Sequence, residues 1–250
     1  MDDSWRGEMR KMMVNLFKRD HVKSFLDLGC GYGKDLKYFR DNMESGKEVQ
    51  FTGIDKLENF VAEARKNNAD AAMEFYVMNA AEGLGFENEK FDVVYSMNVL
   101  ECISDKVKIV KEIHRVLAPG GQVVCCHCDW DSMVFNGEDK DLIKNVLHKY
   151  SNWKQPWMDD VDSWIGRRLW GLFNSTSLFS GEIRIFNLIE TKYDDSTKGY
   201  DLVKEIGYMV EAGVITKDEY DRFVLDIETT LKRGQFLYVR PIYIYSGIKL

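Results

Sequence analysis

The chain has 250 residues, 45% of them hydrophobic and 30% charged, with a formal net charge of −7. That length suits one large α/β domain, or one with a sizeable insertion, and the balance is that of an ordinary globular protein. An acidic chain without a Lys/Arg run is a poor match for an extended nucleic-acid backbone, and no run of about 18 uncharged apolar residues exists to span a bilayer.

In chain order, residues 4–19 predict an amphipathic helix, because Trp5, Met9, Met12, Met13, Leu16 and Phe17 recur at roughly helical spacing. The preceding Met1-Asp2-Asp3-Ser4 is acidic and has no signal-peptide apolar core. Ser24–Leu28 predicts a buried strand, which stops at Gly29-Cys30-Gly31-Tyr32-Gly33 before a helix over Lys34–Met43. Glycine is needed where the backbone takes positive φ or touches a ligand with no Cβ in the way. The helix N-terminus adds unpaired N–H groups and partial positive charge. A strand over Val49–Ile54 then ends at Asp55, followed by Lys56 and a helix over Leu57–Lys66. An acid at that strand end can accept from both hydroxyls of a ribose; a helix cap or a solvated turn is the other reading.

Glu74–Met78 predicts a third strand, followed by Asn79-Ala80-Ala81-Glu82, and Phe91–Ser96 a fourth. Met97 and Asn98 lie in the turn beyond it, with Asn98 as either a cap or a substrate contact. A helix over Val107–Leu117 stops at Ala118-Pro119-Gly120-Gly121, and Gln122–Asp131 reads as the fifth strand. Cys125, Cys126, His127 and Cys128 do not read as a metal site, because adjacent strand residues point to opposite faces. They read as small core residues; five cysteines in all, an odd number, form no disulfide framework and suit a reducing cytoplasm. Asp129 and Asp131, sharing a face by period-2 spacing at the carboxyl end of the sheet, are candidates for substrate contact or solvated loop acids.

Beyond residue 132 the simple alternation breaks. Trp153, Trp157 and Trp164 are interleaved with Asp159, Asp160 and Asp162, and a helix follows from Ile165 through Arg167 and Arg168 to Phe173. Glu182–Thr191 predicts a sixth strand, residues 196–234 are helical with a Thr216/Glu219 capping box, and Gln235–Lys249 alternates as a long last strand. A cationic amine is well held by aromatic faces plus a carboxylate, which can also take its proton. Arg167, Arg168 or Arg240 would instead anchor a carboxylate acceptor.

Asp27-x-Gly29-x-Gly31-x-Gly33, the acid at Asp55, the Phe91–Ser96 strand and the Leu117–Gly121 turn resemble, in order and spacing, the class I S-adenosylmethionine-dependent methyltransferases. Gly166-Arg167-Arg168-Leu169 and the residues after it are similar to the ubiquinone/menaquinone-biosynthesis group of that family. The resemblance implies a doubly wound, mostly parallel, seven-stranded Rossmann-like α/β sheet with an antiparallel last strand. It implies one domain, with a cofactor-binding core over 22–131 and helical insertions at 132–180 and 196–234 as substrate cover. The implied cofactor is S-adenosyl-L-methionine, contacted by Asp27, Gly29, Cys30, Gly31, Gly33, Asp55, Lys56, Asn79, Ala80, Ala81, Met97 and Asn98. Ala80 departs from the family, which often has an acid there for the adenine amino group; Asn79, Glu82 or the Ala81 N–H are the substitutes. Substrate contact is expected from Trp5, Asp129, Asp131, Trp164 and Arg168, with no single catalytic residue and no metal required. The expected partner is a small-molecule methyl acceptor, most simply an amine, alternatively a hydroxyl or carboxylate; the chain is expected to be a monomer or homodimer. A non-catalytic S-adenosylmethionine-binding regulator is the rival of another class. A nicotinamide-dependent dehydrogenase is disfavoured, because the G-x-G-x-x-G spacing is absent.

Overall fold

A computed structural model describes residues 5–17, 22–43, 48–68 and 70–250. Eight strands form one sheet: β1 (Ser24–Leu28), β2 (Gln50–Asp55), β3 (Met73–Val77), β4 (Phe91–Met97), β5 (Leu117–Cys128), β6 (Val134–Phe135), β7 (Phe179–Glu190) and β8 (Tyr238–Lys249). The helices are α1 (Trp5–Leu16), α2 (Lys34–Asn42), α3 (Glu58–Asn67), α4 (Lys106–Val116), α5 (Lys140–Ser151), α6 (Ile165–Asn174), α7 (Lys198–Glu211) and α8 (Lys217–Lys232).

From the β3 edge the order is β3-β2-β1-β4-β5-β8, with β7 on the far side of β8. The first five strands are parallel, as strand–helix alternation requires. β8 runs antiparallel to both β5 and β7. The eighth strand, beyond the seven expected, is the two-residue β6, which pairs with β8 beyond the end of β5.

Two apolar layers cover the sheet. On one face Met9, Met13 and Phe17 pack with Phe25, Phe39, Phe51 and Tyr95. Across it, Ile109, Ile113 and Val116 of α4 and Leu169 and Phe173 of α6 pack with Leu26, Val94 and Tyr245. Helix α6 therefore belongs to the sheet-covering layer. A third core joins α5, α7, α8 and β6 through Val146, Ile206, Phe223 and Phe135. Arg10 pins α1 to α2 through Asp35, at 2.8 Å from Nε and 2.6 Å from Nη2. Because both partners are buried, losing either would strand a charge.

Two boundaries differ from the sequence reading. The Ala118–Gly121 run lies within β5, where the register against β4 shifts between Phe91↔Leu117 and Val93↔Gln122. At its other end β5 stops at Cys128, and Trp130–Ser132 coil into a 3₁₀ turn. Along β5, Cys125 enters one core and Cys126 and Cys128 the other, as period-2 alternation dictates. No helix among the described residues is long and apolar enough to cross a membrane.

Candidate active site

Two cavities open at the carboxyl ends of the parallel strands, where the β1 and β4 connections diverge. The first, of about 530 Å³, is lined by Gly29 and Gly31 after β1, Asp55 and Lys56 after β2, Met78–Ala80 after β3, and Met97–Val99 after β4. Phe60 and Ile103 add apolar wall, and Trp157 and Asp159 reach over from the loop before α6. The second, of about 490 Å³, is lined by Asn98, Glu101, Trp130, Tyr150, Trp153, Trp157, Met158, Glu205 and Tyr208, among others. Asn98 and Trp157 line both, so the two spaces share a wall.

The three glycines serve different ends. A Cβ on Gly29 would lie 2.2 Å from Val99 Cγ2, and one on Gly33 2.8 Å from the Phe75 ring, so both are small for packing. Gly31, at φ 50°, has nothing within 4 Å of its Cβ position, so any side chain there would project into the open cradle of the first cavity. Asp55 is fixed by two backbone donors, Gly31 N–H at 3.0 Å and Leu57 N–H at 2.9 Å. Each carboxylate oxygen keeps a further lone pair for a ligand hydroxyl. At the other end Asn79 Oδ1 caps the 3₁₀ turn through Ala81 N–H at 3.2 Å, leaving Ala80 on the cavity. The set offers an acceptor carboxylate, an apolar slot and a backbone turn, which together suit a nucleoside with a polar tail.

Asn98 occupies the left-handed region at φ 55°. Its Oδ1 accepts from Cys128 N–H at 2.9 Å, and its own N–H donates to Cys126 O at 3.0 Å. Strain of this kind persists only where the surroundings over-determine it. It turns the chain off β4 so that Glu101, three residues past the shared wall at Asn98, reaches the second cavity.

Glu101 is 5% exposed. Burial raises its carboxyl to about 8, with Asp162 adding to the rise. Its backbone N–H donates to His127 Nε2 at 3.3 Å, and His127 Nδ1 meets Cys128 O at 3.1 Å. That arrangement fixes a neutral imidazole with the proton on Nδ1, and burial lowers His127 to about 4. Glu205, near the cavity mouth, accepts from Tyr150 OH at 2.6 Å.

The covering loop is tied down at its backbone. The N–H groups of Asp159 and Asp160 donate to Cys102 O at 3.1 and 3.2 Å, and Asp162 N–H to Glu101 O at 3.3 Å. Lys106 pairs with Asp160 at 3.0 Å and Lys56 with Asp159 at 3.4 Å.

Of the residues expected at the cofactor, Gly29, Gly31, Asp55, Lys56, Asn79, Ala80, Met97 and Asn98 line the first cavity. Asp27, Cys30, Gly33 and Ala81 stand behind it, Asp27 and Cys30 being buried. The expected substrate set does not assemble. Asp129 is fully buried and holds Arg167, at 2.7 Å from Nε and 2.5 Å from Nη2. Asp131 accepts from Trp164 Nε1 at 2.7 Å and from His148. Trp164 lies against Arg167 and Arg168, and Arg168 pairs with Asp162 at 2.8 Å. These four form a clasp between the end of β5 and the start of α6, outside both cavities. The shared-face argument for Asp129 and Asp131 fails because the strand ends at Cys128 and the 3₁₀ turn does not have period 2. The side chain of Trp5 lies outside the described residues. Sequence reasoning missed Glu101, whose only signal was an acid inside the apolar run Val99–Ile103. It offered Trp157 and Asp159 only within an aromatic-acidic segment suited to an amine, and not as named site residues.

Residues 20–211 match a family described as a methyltransferase domain. The demethylmenaquinone methyltransferase of Lactococcus lactis is 39% identical over 150 residues, 58% of this chain and 56% of that protein. The chloroplastic tocopherol O-methyltransferase of Arabidopsis thaliana is 35% identical over 113 residues, 42% of this chain and 31% of that protein. The matched region thus covers little more than half of such relatives, or less. Among solved structures, the YcgJ protein of Bacillus subtilis superposes with a TM-score of 0.63 at 19% identity, covering 97% of this chain and 98% of that one. The Haemonchus contortus phosphoethanolamine N-methyltransferase 2, in complex with S-adenosyl-L-methionine, superposes with a TM-score of 0.59 at 18% identity, covering 98% of this chain and 52% of that one.

Proposed function

Because the chain belongs to the methyltransferase domain family, with S-adenosylmethionine as cofactor, we propose that it methylates the nitrogen of a small amine. The observation that carries this reading is Glu101, a buried acid in a cavity whose walls include Trp130, Trp153, Trp157, Tyr150 and Tyr208.

In this reading the first cavity holds the cofactor. Asp55 accepts the ribose hydroxyls, Phe60, Met78 and Ile103 enclose the base beside Ala80, and Gly31 leaves room for the amino-acid tail. When bound, the cofactor supplies an electrophilic methyl group on a sulfonium. Everything else is done by the protein's own groups. Asn98 and Trp157, common to both cavities, mark where acceptor and methyl group meet. The aromatic walls receive the acceptor as an ammonium ion. The ionised form of Glu101, the minority form below about pH 8, takes the ammonium proton through Oε, freeing the nitrogen lone pair to attack. A carboxyl raised to about 8 is matched to an ammonium donor near neutral pH, which keeps that transfer close to balanced. Alignment and exclusion of water by the Trp153–Asp162 loop supply the remainder. A carboxylate acceptor suits this lining poorly: Glu205 would repel it, and none of Arg167, Arg168 and Arg240 lines the cavity, Arg240 being buried behind the Trp130 ring.

The test has two parts. Calorimetric titration of S-adenosylhomocysteine into the wild type and Asp55→Ala reads the cofactor site, and binding lost in the variant is expected. Incubation with S-adenosylmethionine and pools of amines, phenols and carboxylic acids, followed by mass spectrometry, reads the acceptor. N-methylated product, with kcat lowered about 10²–10⁴-fold in Glu101→Gln at unchanged S-adenosylhomocysteine affinity, is expected. Product confined to oxygen acceptors would overturn the amine reading.

A further inference from the structure

Strand β7 is paired with β8 over its whole length, from Phe179↔Lys249 to Glu190↔Tyr238, without a register break. No described strand occupies its other edge. That edge is twelve residues long. It has neither a proline nor a bulge, the devices that usually blunt a free edge. Instead it carries Ile183, Ile185 and Ile189 on one face, the last two 52% and 61% exposed. We infer that β7 is the site at which a second copy of this chain adds, antiparallel, to make one continuous sheet across a twofold axis.

The charge pattern selects both the occupant and the register. A twofold axis normal to the sheet keeps each side chain on its own face, so the pairing must be centred on a residue. Centred on Asn187, it sets Arg184 against Glu190 of the second copy, and Glu182 against Lys192 of the second copy, each twice over. The same register opposes Ile185 to Ile189 and Phe186 to Leu188. Opposite charges or apolar residues thus face one another at these positions, each pair adding stability, while Ile183 meets Thr191. Other centres fail. Centring on Arg184 opposes it to itself, and on Phe186 sets Glu182 against Glu190. Centring on Ile183 or Ile185 leaves Ile189 facing Ser177 or Gly181. Glu190 is already held in place, accepting from Lys198 N–H at 2.9 Å and Gly199 N–H at 2.8 Å. Arg184 pairs with Glu182 of its own strand, an exposed contact that exchange for Glu190 readily replaces.

Sedimentation velocity of the full chain across the micromolar range tests this. The wild type is expected to be a dimer in reversible equilibrium. Ile189→Lys and Lys192→Glu, both at exposed positions, are expected to raise the dimer dissociation constant about tenfold or more. Adding Glu182→Lys to Lys192→Glu restores opposite charges and is expected to recover the dimer. Unchanged S-adenosylhomocysteine binding establishes that each variant is folded. A wild type that stays monomeric, a dimer indifferent to both substitutions, or a charge exchange that fails to restore association would overturn the inference.

Discussion

The backbone N–H of Glu101 donates to Nε2 of His127 at 3.3 Å, which joins two buried groups whose titrations oppose each other. Burial holds the imidazole neutral and drives the carboxyl toward its protonated form. The acid that lines the second cavity is therefore positioned through its main chain, with its carboxyl beside Trp130 in the cavity wall.

For His127 the sign is that of a depressed folded-state value. Its ordinary value is 6.5 and its folded value about 4. The stability it contributes is complete above 6.5 and is lost as pH falls through about 4. Urea unfolding of the wild type and His127→Gln across that window isolates the effect. The wild type is expected to lose up to about 3 kcal/mol more than the variant on acidification. Equal losses would remove His127 from the account.

For Glu101 the sign reverses. Its folded value, about 8, lies above its ordinary 4.5. Its stability contribution is complete below 4.5 and is lost as pH rises through 8. Glu101→Gln, which cannot ionise, is expected to gain on the wild type between those limits, by several kcal/mol at the alkaline end. The check is thermal unfolding at intervals from pH 5 to 9, where the difference in melting temperature should widen up to about pH 8 and level off beyond it.

Gly29→Ala brings a Cβ to 2.2 Å from Val99 Cγ2 in a backbone at φ 80°. The clash and the left-handed conformation together are expected to cost about 2–4 kcal/mol. Adding Val99→Ala should recover the steric part and leave the backbone part. If the double variant is no more stable than the single one, the close approach is not the reason for glycine here.

Trp157→Ala opens the wall common to both cavities. It is expected to weaken S-adenosylhomocysteine roughly fivefold, since an aromatic contact of this kind is worth about 1 kcal/mol. Trp164→Ala, in the clasp outside both cavities, is expected to leave that affinity unchanged. Calorimetry on the pair distinguishes the Trp that faces a ligand from the one that ties α6 to β5.

The lining of the first cavity was legible because it is local. Each of Gly29, Gly31, Asp55 and Met97 sits at the end of a parallel strand, and strand ends converge wherever such a sheet forms. The lining of the second cavity was not, because it depends on distant segments meeting. Tyr150 comes from the end of α5, Glu205 and Tyr208 from α7, and Trp153 and Trp157 from the loop between α5 and α6. No periodicity within one segment announces such a meeting. Asp129 and Asp131 misled for a local reason: whether a strand runs on for three more residues decides which way an acid points, and here it stops at Cys128. The antiparallel direction of β8, within the order β5-β8-β7, was by contrast expected from the resemblance and not from any pattern in β8 itself.

That order has a consequence for assembly. β8 holds β5 and β6 on one side and β7 on the other, yet it is synthesised after all three. Until it emerges from the ribosome, β7 has no described partner and the Gln122–Cys128 stretch presents an open, apolar border. The sheet is thus closed from its interior by a latecomer, like a keystone set after the stones it separates. Such non-local closure slows folding and leaves sticky borders for other chains to find meanwhile. The nascent polypeptide should accordingly lean on chaperones during the interval between the release of β7 and that of β8.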